Sequence, residues 1–85
     1  MVKILDFWAP WCGQCKAFAP VIDEVVKETG VELEKVDAST DTELCDKYGV
    51  QNLPTLVLLK DGAEAGRVCG FVSKEILLDK IKELL

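Results

Sequence analysis

The sequence predicts an α/β domain of element order β-α-β-α-β-β-α, and three observations carry that prediction. Short, nearly continuous apolar runs alternate with stretches whose apolar residues recur at helical spacing, as when strands feed helices. Late in the chain an Asp61-Gly62 pair separates two strand-like runs, a strong short-range signal for an antiparallel hairpin. A Cys-x-x-Cys sequence, Cys12-Gly13-Gln14-Cys15, stands where the first apolar run gives way to the first helical stretch. The chain has 85 residues, which makes one domain spanning 1–85, near the lower end of what folds unaided.

Val2 to Trp8 is apolar at almost every position, the mark of a strand buried on both faces. Asp6 interrupts it, sharing a face with Ile4 and Trp8, and a carboxylate there is costly unless something uses it. Beyond the cysteines Phe18, Val21, Ile22, Val25 and Val26 form one helical stripe, with Pro20 predicting a kink and Gly30 the stop. Val31 to Ala38 reads as the second strand, parallel to the first through a right-handed crossover. Thr40-Asp41-Thr42-Glu43 fits a capping box opening a short helix through Leu44, Cys45 and Tyr48, closed by Gly49. Thr55 to Lys60 is the third strand and Ala65 to Cys69 the fourth, antiparallel across Asp61-Gly62. Ser73 caps a last helix whose Leu77, Leu78, Ile81, Leu84 and Leu85 face the core.

Composition excludes several functions. At 49 % hydrophobic and 29 % charged residues the chain is an ordinary globule. A net charge of -5 argues against nucleic acid or an anionic membrane as partner. With no histidine, any base must be a carboxylate, a lysine or a thiolate. No apolar run reaches the ~18 residues of a membrane span and no signal-peptide pattern precedes Val2, which points to the cytoplasm. A disulfide there is more often transient and catalytic than structural. A secreted form with its leader removed would read the same.

Cysteines at i and i+3 on a first helical turn lie on nearly one face, where their sulfurs can join and separate with little backbone movement. Cys12 also stands at the helix N-terminus, where unpaired N–H groups and the macrodipole favour an anion, so its thiolate is the nucleophile. The rival reading is half a structural zinc site. It needs two more ligands, and Cys45 and Cys69 stand at irregular spacing with no histidine to help. Those two cysteines read instead as small buried hydrophobes. Trp8 reads as core, whereas Trp11, on a turn beside Cys12, reads as part of a docking face.

From about Ile4 to the C-terminus the chain resembles the thioredoxin family, in a short form without the extra N-terminal strand and helix. The resemblance rests on Asp6-Phe7-Trp8-Ala9, Trp11-Cys12-Gly13-Gln14-Cys15-Lys16, Pro20, Lys35, Lys47-Tyr48-Gly49, Pro54-Thr55 and Gly70. It implies a central four-stranded mixed sheet with helices on both faces, strand one lying between strands two and three. It also implies that Asp6 is a buried acid beneath the cysteine pair, aided by Lys35, which takes the proton from Cys15. Burial would raise its pKa and the lysine would lower it. Pro54 becomes a cis proline facing the disulfide, and Leu53 offers its backbone to an extended peptide. Gly13, Gln14, Gly70 and Phe71 join Trp11 on the docking face, which gives Cys69, just before Gly70, an accessory redox role as its alternative reading. One departure stands out: the family's usual proline between Gly13 and Cys15 is here Gln14. Its N–H would be an added donor to the Cys12 thiolate, favouring the reduced form.

The resemblance implies a thiol–disulfide oxidoreductase that reduces protein disulfides through Cys12 and Cys15 and serves electron transport and cell redox homeostasis. No glycine-rich phosphate loop is present, and nothing binds NADPH, flavin or a metal, so no cofactor is expected. The partners are disulfide-containing proteins and a separate thioredoxin reductase-like protein, or glutathione, with the chain a monomer. Three alternatives remain at this level: a glutaredoxin-like, glutathione-dependent enzyme; an oxidant or isomerase of secreted proteins; and a non-catalytic docking module on the same fold.

Overall fold

A computed structural model describes residues 1–85, and its elements follow the predicted order. They are β1 (Val2–Trp8), α1 (Gly13–Thr29), β2 (Glu32–Asp37), α2 (Thr42–Tyr48), β3 (Thr55–Lys60), β4 (Ala63–Cys69) and α3 (Lys74–Leu84). The four strands form one mixed sheet in the order β2-β1-β3-β4. β1 runs parallel to β2 and antiparallel to β3, and β3 runs antiparallel to β4.

The two-sided burial expected of β1 follows from its central place. Val2 and Ile4 face one side with Leu56 and Leu58 of β3, packing against Phe18, Ile22 and Val25 of α1 and Leu77 and Ile81 of α3. Leu5, Phe7, Val57 and Leu59 face the other side, where Leu44, Cys45 and Tyr48 of α2 cover them. Helices therefore lie on both faces, and the strand run Thr55–Leu59 is buried at every position because neither face meets water. No helix is long and apolar enough to cross a membrane.

The boundaries differ from the sequence reading where local hydrogen bonds override the apolar pattern. Asp61 and Gly62 both take positive φ, 52° and 86°, as a two-residue type I′ turn needs, so pairing resumes at once between Lys60 and Ala63. β4 consequently starts two residues before the expected Ala65. β2 is shorter than Val31 to Ala38, although Ala38 still donates to the Trp8 carbonyl at 2.8 Å. At α2 the cap is Asp41 rather than Thr40: the Asp41 carboxylate accepts the Leu44 N–H at 3.2 Å. The Asp37 carbonyl draws the Thr40 and Asp41 N–H groups into a turn, which holds Thr40 outside the helix. Leu85, expected in the core, lies past the end of α3 and is 66 % exposed.

α1 runs without interruption through Pro20 and stops at Gly30, whose φ of 73° suits glycine and whose N–H returns to the Val26 carbonyl. Ser73 caps α3 as expected, its hydroxyl accepting the Ile76 N–H at 3.3 Å. Ser73→Ala removes that acceptor and is expected to destabilise the fold by about 1 kcal/mol. Urea unfolding checks this: the midpoint should fall with the slope unchanged.

Candidate active site

After β1 the chain turns sharply, the Cys12 N–H donating to the Ala9 carbonyl at 3.1 Å. The turn delivers Cys12 in an extended conformation as the N-cap of α1, where its sulfur accepts the Cys15 N–H at 3.2 Å. Cys12 and Cys15 are joined as a disulfide with their Cα atoms 5.3 Å apart. Both pack with Ala9, Trp8 and Leu53 in a small cluster of their own. The first turn of α1 holds no acidic residue, so nothing there opposes negative charge on Cys12.

The donor to Cys12 is the Cys15 N–H and not, as the sequence led us to expect, that of Gln14. An extended N-cap places its side chain over the third helical N–H, which is that of Cys15, one position beyond Gln14. Gln14 is exposed, and the donor survives whatever residue stands there.

The two cysteines border different spaces. Cys12 lines an open groove of about 460 Å³ together with Trp11, Ala38, Cys45, Val50, Gln51, Asn52 and Leu53. Cys15 lines a smaller cleft of about 160 Å³ with Asp6, Trp8, Lys16, Ala19 and Lys35. Trp11 is 74 % exposed and forms the outer wall of the groove.

Asp6 is only 4 % exposed, flanked in β1 by Leu5 and Phe7 and paired across the sheet with Lys35 and Leu56. Burial pushes its carboxyl up to about 6; Lys35 pulls against that shift and Asp23 adds to it. Burial is the larger effect: Lys35 is an exposed residue at the edge of the cleft and attracts the carboxylate only through space. The Leu53–Pro54 peptide is cis, and Pro54 is buried. The Gly70 N–H donates to the Pro54 carbonyl at 2.8 Å, which brings those two residues together. Gly70 has φ 84°, a conformation that itself favours glycine. Gly13 lies exposed on the first turn of α1. Phe71, 48 % exposed, sets its ring 5.1 Å from that of Phe18, so part of it belongs to the core.

Three readings change. Trp8 is half-buried: it packs on the small cysteine cluster, as a core residue would, and also borders the Asp6 cleft, as its shared strand face with Asp6 allows. Cys69 is exposed: it follows buried Val68, and strand alternation turns it outward. Cys45 is half-buried in the wall of the groove, with its thiol pKa raised by burial and by Asp41 and Asp46. Ala38, Val50, Gln51 and Asn52 were not singled out from sequence, because the groove they line joins segments distant along the chain.

The sequence profile of the thioredoxin family matches residues 2–83. A thioredoxin of Bacillus subtilis is 44 % identical over 86 residues, covering 99 % of this chain and 83 % of its own. The chain belongs to the thioredoxin family. Among solved structures, a mutant thioredoxin from Halobacterium salinarum superposes with a TM-score of 0.94 at 35 % identity, covering 98 % of this chain and 74 % of its own. A malarial protein superposes with a TM-score of 0.90 at 36 % identity, covering 100 % of this chain and 98 % of its own. With its bonded Cys12–Cys15 pair, this thioredoxin-family chain is a thiol–disulfide oxidoreductase that acts as a protein disulfide reductase.

Proposed function

We propose that Cys12 is the attacking thiolate, Cys15 the resolving thiol and Asp6 the base that takes the Cys15 proton. The observation that carries this is the division of space: Cys12 borders the open groove, Cys15 the cleft of Asp6. Cys12 thiolate attacks one sulfur of a substrate disulfide, forming a mixed disulfide and releasing the other sulfur as a thiolate. Cys15 gives its proton to Asp6, by way of water that the cleft has room for, and attacks Cys12. The mixed disulfide breaks, the substrate leaves with its second sulfur reduced, and Cys12–Cys15 is oxidised. Two electrons pass from protein to substrate, and a dithiol protein or glutathione returns them by the same exchange run backwards.

Trp11 and Leu53 meet the substrate in the groove they line, and Gln14, exposed on the first turn of α1, meets it beside Cys12. Gly13, Gly70 and Phe71 complete the docking face, and buried Pro54 supports it through the carbonyl that holds Gly70. Lys35 tempers the rise in the Asp6 pKa. The single sheet uniting all four strands supports one domain over residues 1–85. In our reading that domain works as a monomer in the cytoplasm, in electron transport and redox homeostasis. Insulin reduction tests the reading, with a thioredoxin reductase plus NADPH or glutathione supplied one at a time. Rapid turnover with the reductase is the expected result, and turnover with glutathione alone would favour the glutaredoxin-like alternative.

The N-cap geometry makes a second expectation. In the reduced protein at pH 6, iodoacetamide should modify Cys12 roughly tenfold faster than Cys15, because the N-terminal position lowers the thiol pKa. Peptide mass mapping reads the order. Modification of Cys15 first would reverse the assignment of nucleophile and resolving thiol.

A further inference from the structure

We propose that Arg67 on β4 is a positioning residue for substrate binding, holding in place the α2 segment that walls the Cys12 groove. This rests on reading the groove as the substrate's seat. Cys45, Val50, Gln51, Asn52 and Leu53 line it, and all lie within five residues of Tyr48, the last residue of α2. Arg67 donates from Nη2 to the Tyr48 carbonyl at 2.6 Å. Glu64 orients the guanidinium through both carboxylate oxygens, accepting from Nε at 2.9 Å and from Nη2 at 3.0 Å.

At its N-terminal end α2 is tied to the sheet by the Asp41 N–H, which donates to the Asp37 carbonyl of β2 at 2.9 Å; at its C-terminal end Arg67 supplies the only hydrogen bond from the sheet. The other bonds of the helix end are local, the N–H groups of Gly49 and Val50 returning to carbonyls of α2, and the next tie to the sheet is the Thr55 hydroxyl, which donates to the Asn52 carbonyl at 2.6 Å. None of the seven residues of α2 is fully buried. Leu44, Cys45 and Tyr48 do pack against Phe7, Val36 and Val57, but apolar contact is non-directional and lets a short helix slide or turn. A charge-assisted hydrogen bond to the final carbonyl fixes the direction in which the chain leaves α2. Val50 to Leu53 follow from that point. Arg67 pairs with Val57 across the hairpin, and Val57 faces α2, so the guanidinium stands on the correct side of the sheet.

Arg67→Met keeps the apolar stem and removes the donors. With insulin as substrate and dithiothreitol as reductant, its KM should rise roughly tenfold, the loss of about one charge-assisted hydrogen bond, while kcat stays within about twofold. Reduction of 5,5′-dithiobis(2-nitrobenzoic acid), too small to need the groove wall, should keep its rate, as should alkylation of Cys12. Glu64→Gln, which retains Arg67 but loosens its orientation, should raise KM by an intermediate factor, and it carries the test if Arg67→Met fails to fold. An insulin KM unchanged in both variants overturns the proposal. So does a parallel loss on the small disulfide, which would mark a general structural defect. If the wild-type protein itself did not reduce insulin, the substrate reading of the groove would fall first and independently.

Discussion

Cys15→Ser is expected to stop turnover with the substrate still attached. The serine hydroxyl is close in size to the thiol but too weakly acidic to attack a disulfide at neutral pH, so the second step of the exchange is lost while the first survives. Cys12 keeps both its helix position and its place on the open groove. The donor to its sulfur is a backbone N–H of residue 15, and the substitution leaves that donor untouched. Multiple turnover should fall by roughly 10³-fold or more, the scale on which loss of a covalent participant acts. A mixed disulfide should accumulate, visible on non-reducing gels and mapped by mass to Cys12. Cys12→Ser should lose turnover equally and capture nothing, since Cys15 borders the inner cleft rather than the groove. Equal capture by the two variants would show that either sulfur can lead.

The same division of space shows what the sequence makes legible and what it does not. The fold follows from patterns that are local and redundant. Leu56 to Leu59 is apolar at every position because both faces of β3 are covered, and Asp61-Gly62 places the hairpin because few other pairs accept two positive φ angles. The buried state of Asp6 was readable from Leu5 and Phe7 on either side. The site was readable in its cysteines, since their chemistry depends on i, i+3 spacing at one helix end. The groove was not, because Trp11, Ala38, Cys45 and Val50 to Leu53 meet only after the sheet has ordered three segments. The Gln14 donor was misplaced for a subtler reason: sequence shows which N–H groups are available at a helix end, and only the cap conformation selects among them. Arg67 lay unremarked because its partner is a backbone carbonyl, which no side-chain pattern announces.

Asp6→Asn should both stabilise the protein and slow it, each in its own pH window. Burial holds the folded carboxyl near 6, above the ordinary 3.8 that applies in the unfolded chain. Between those values the folded state binds more protons than the unfolded one, so stability falls as pH rises through the window and stays low above it. Each unit is about 1.4 kcal/mol, and water reaching the cleft relieves part of the effect, leaving about 2 kcal/mol of destabilisation at pH 8. Asparagine of similar volume carries no charge to bury. Its gain should therefore be about 2 kcal/mol at pH 8, roughly a 10 °C rise in Tm, shrinking through pH 6 and vanishing near pH 4. Catalysis should move the other way. In the wild-type protein, release of substrate from the mixed disulfide should rise with pH and level off above about 6, once Asp6 is ionised and able to accept the Cys15 proton. In Asp6→Asn that break should disappear, and release at pH 7 should slow by roughly 10²-fold, recovering only as rising pH ionises Cys15 directly. Paired urea titrations and single-turnover release, both run from pH 4 to 8, read the two effects on one pair of proteins. A stability gain that did not vary with pH would mean the carboxylate is not ionised against its surroundings. An unchanged pH–rate profile would take Asp6 out of the proton transfer and leave Cys15 to lose its proton to solvent.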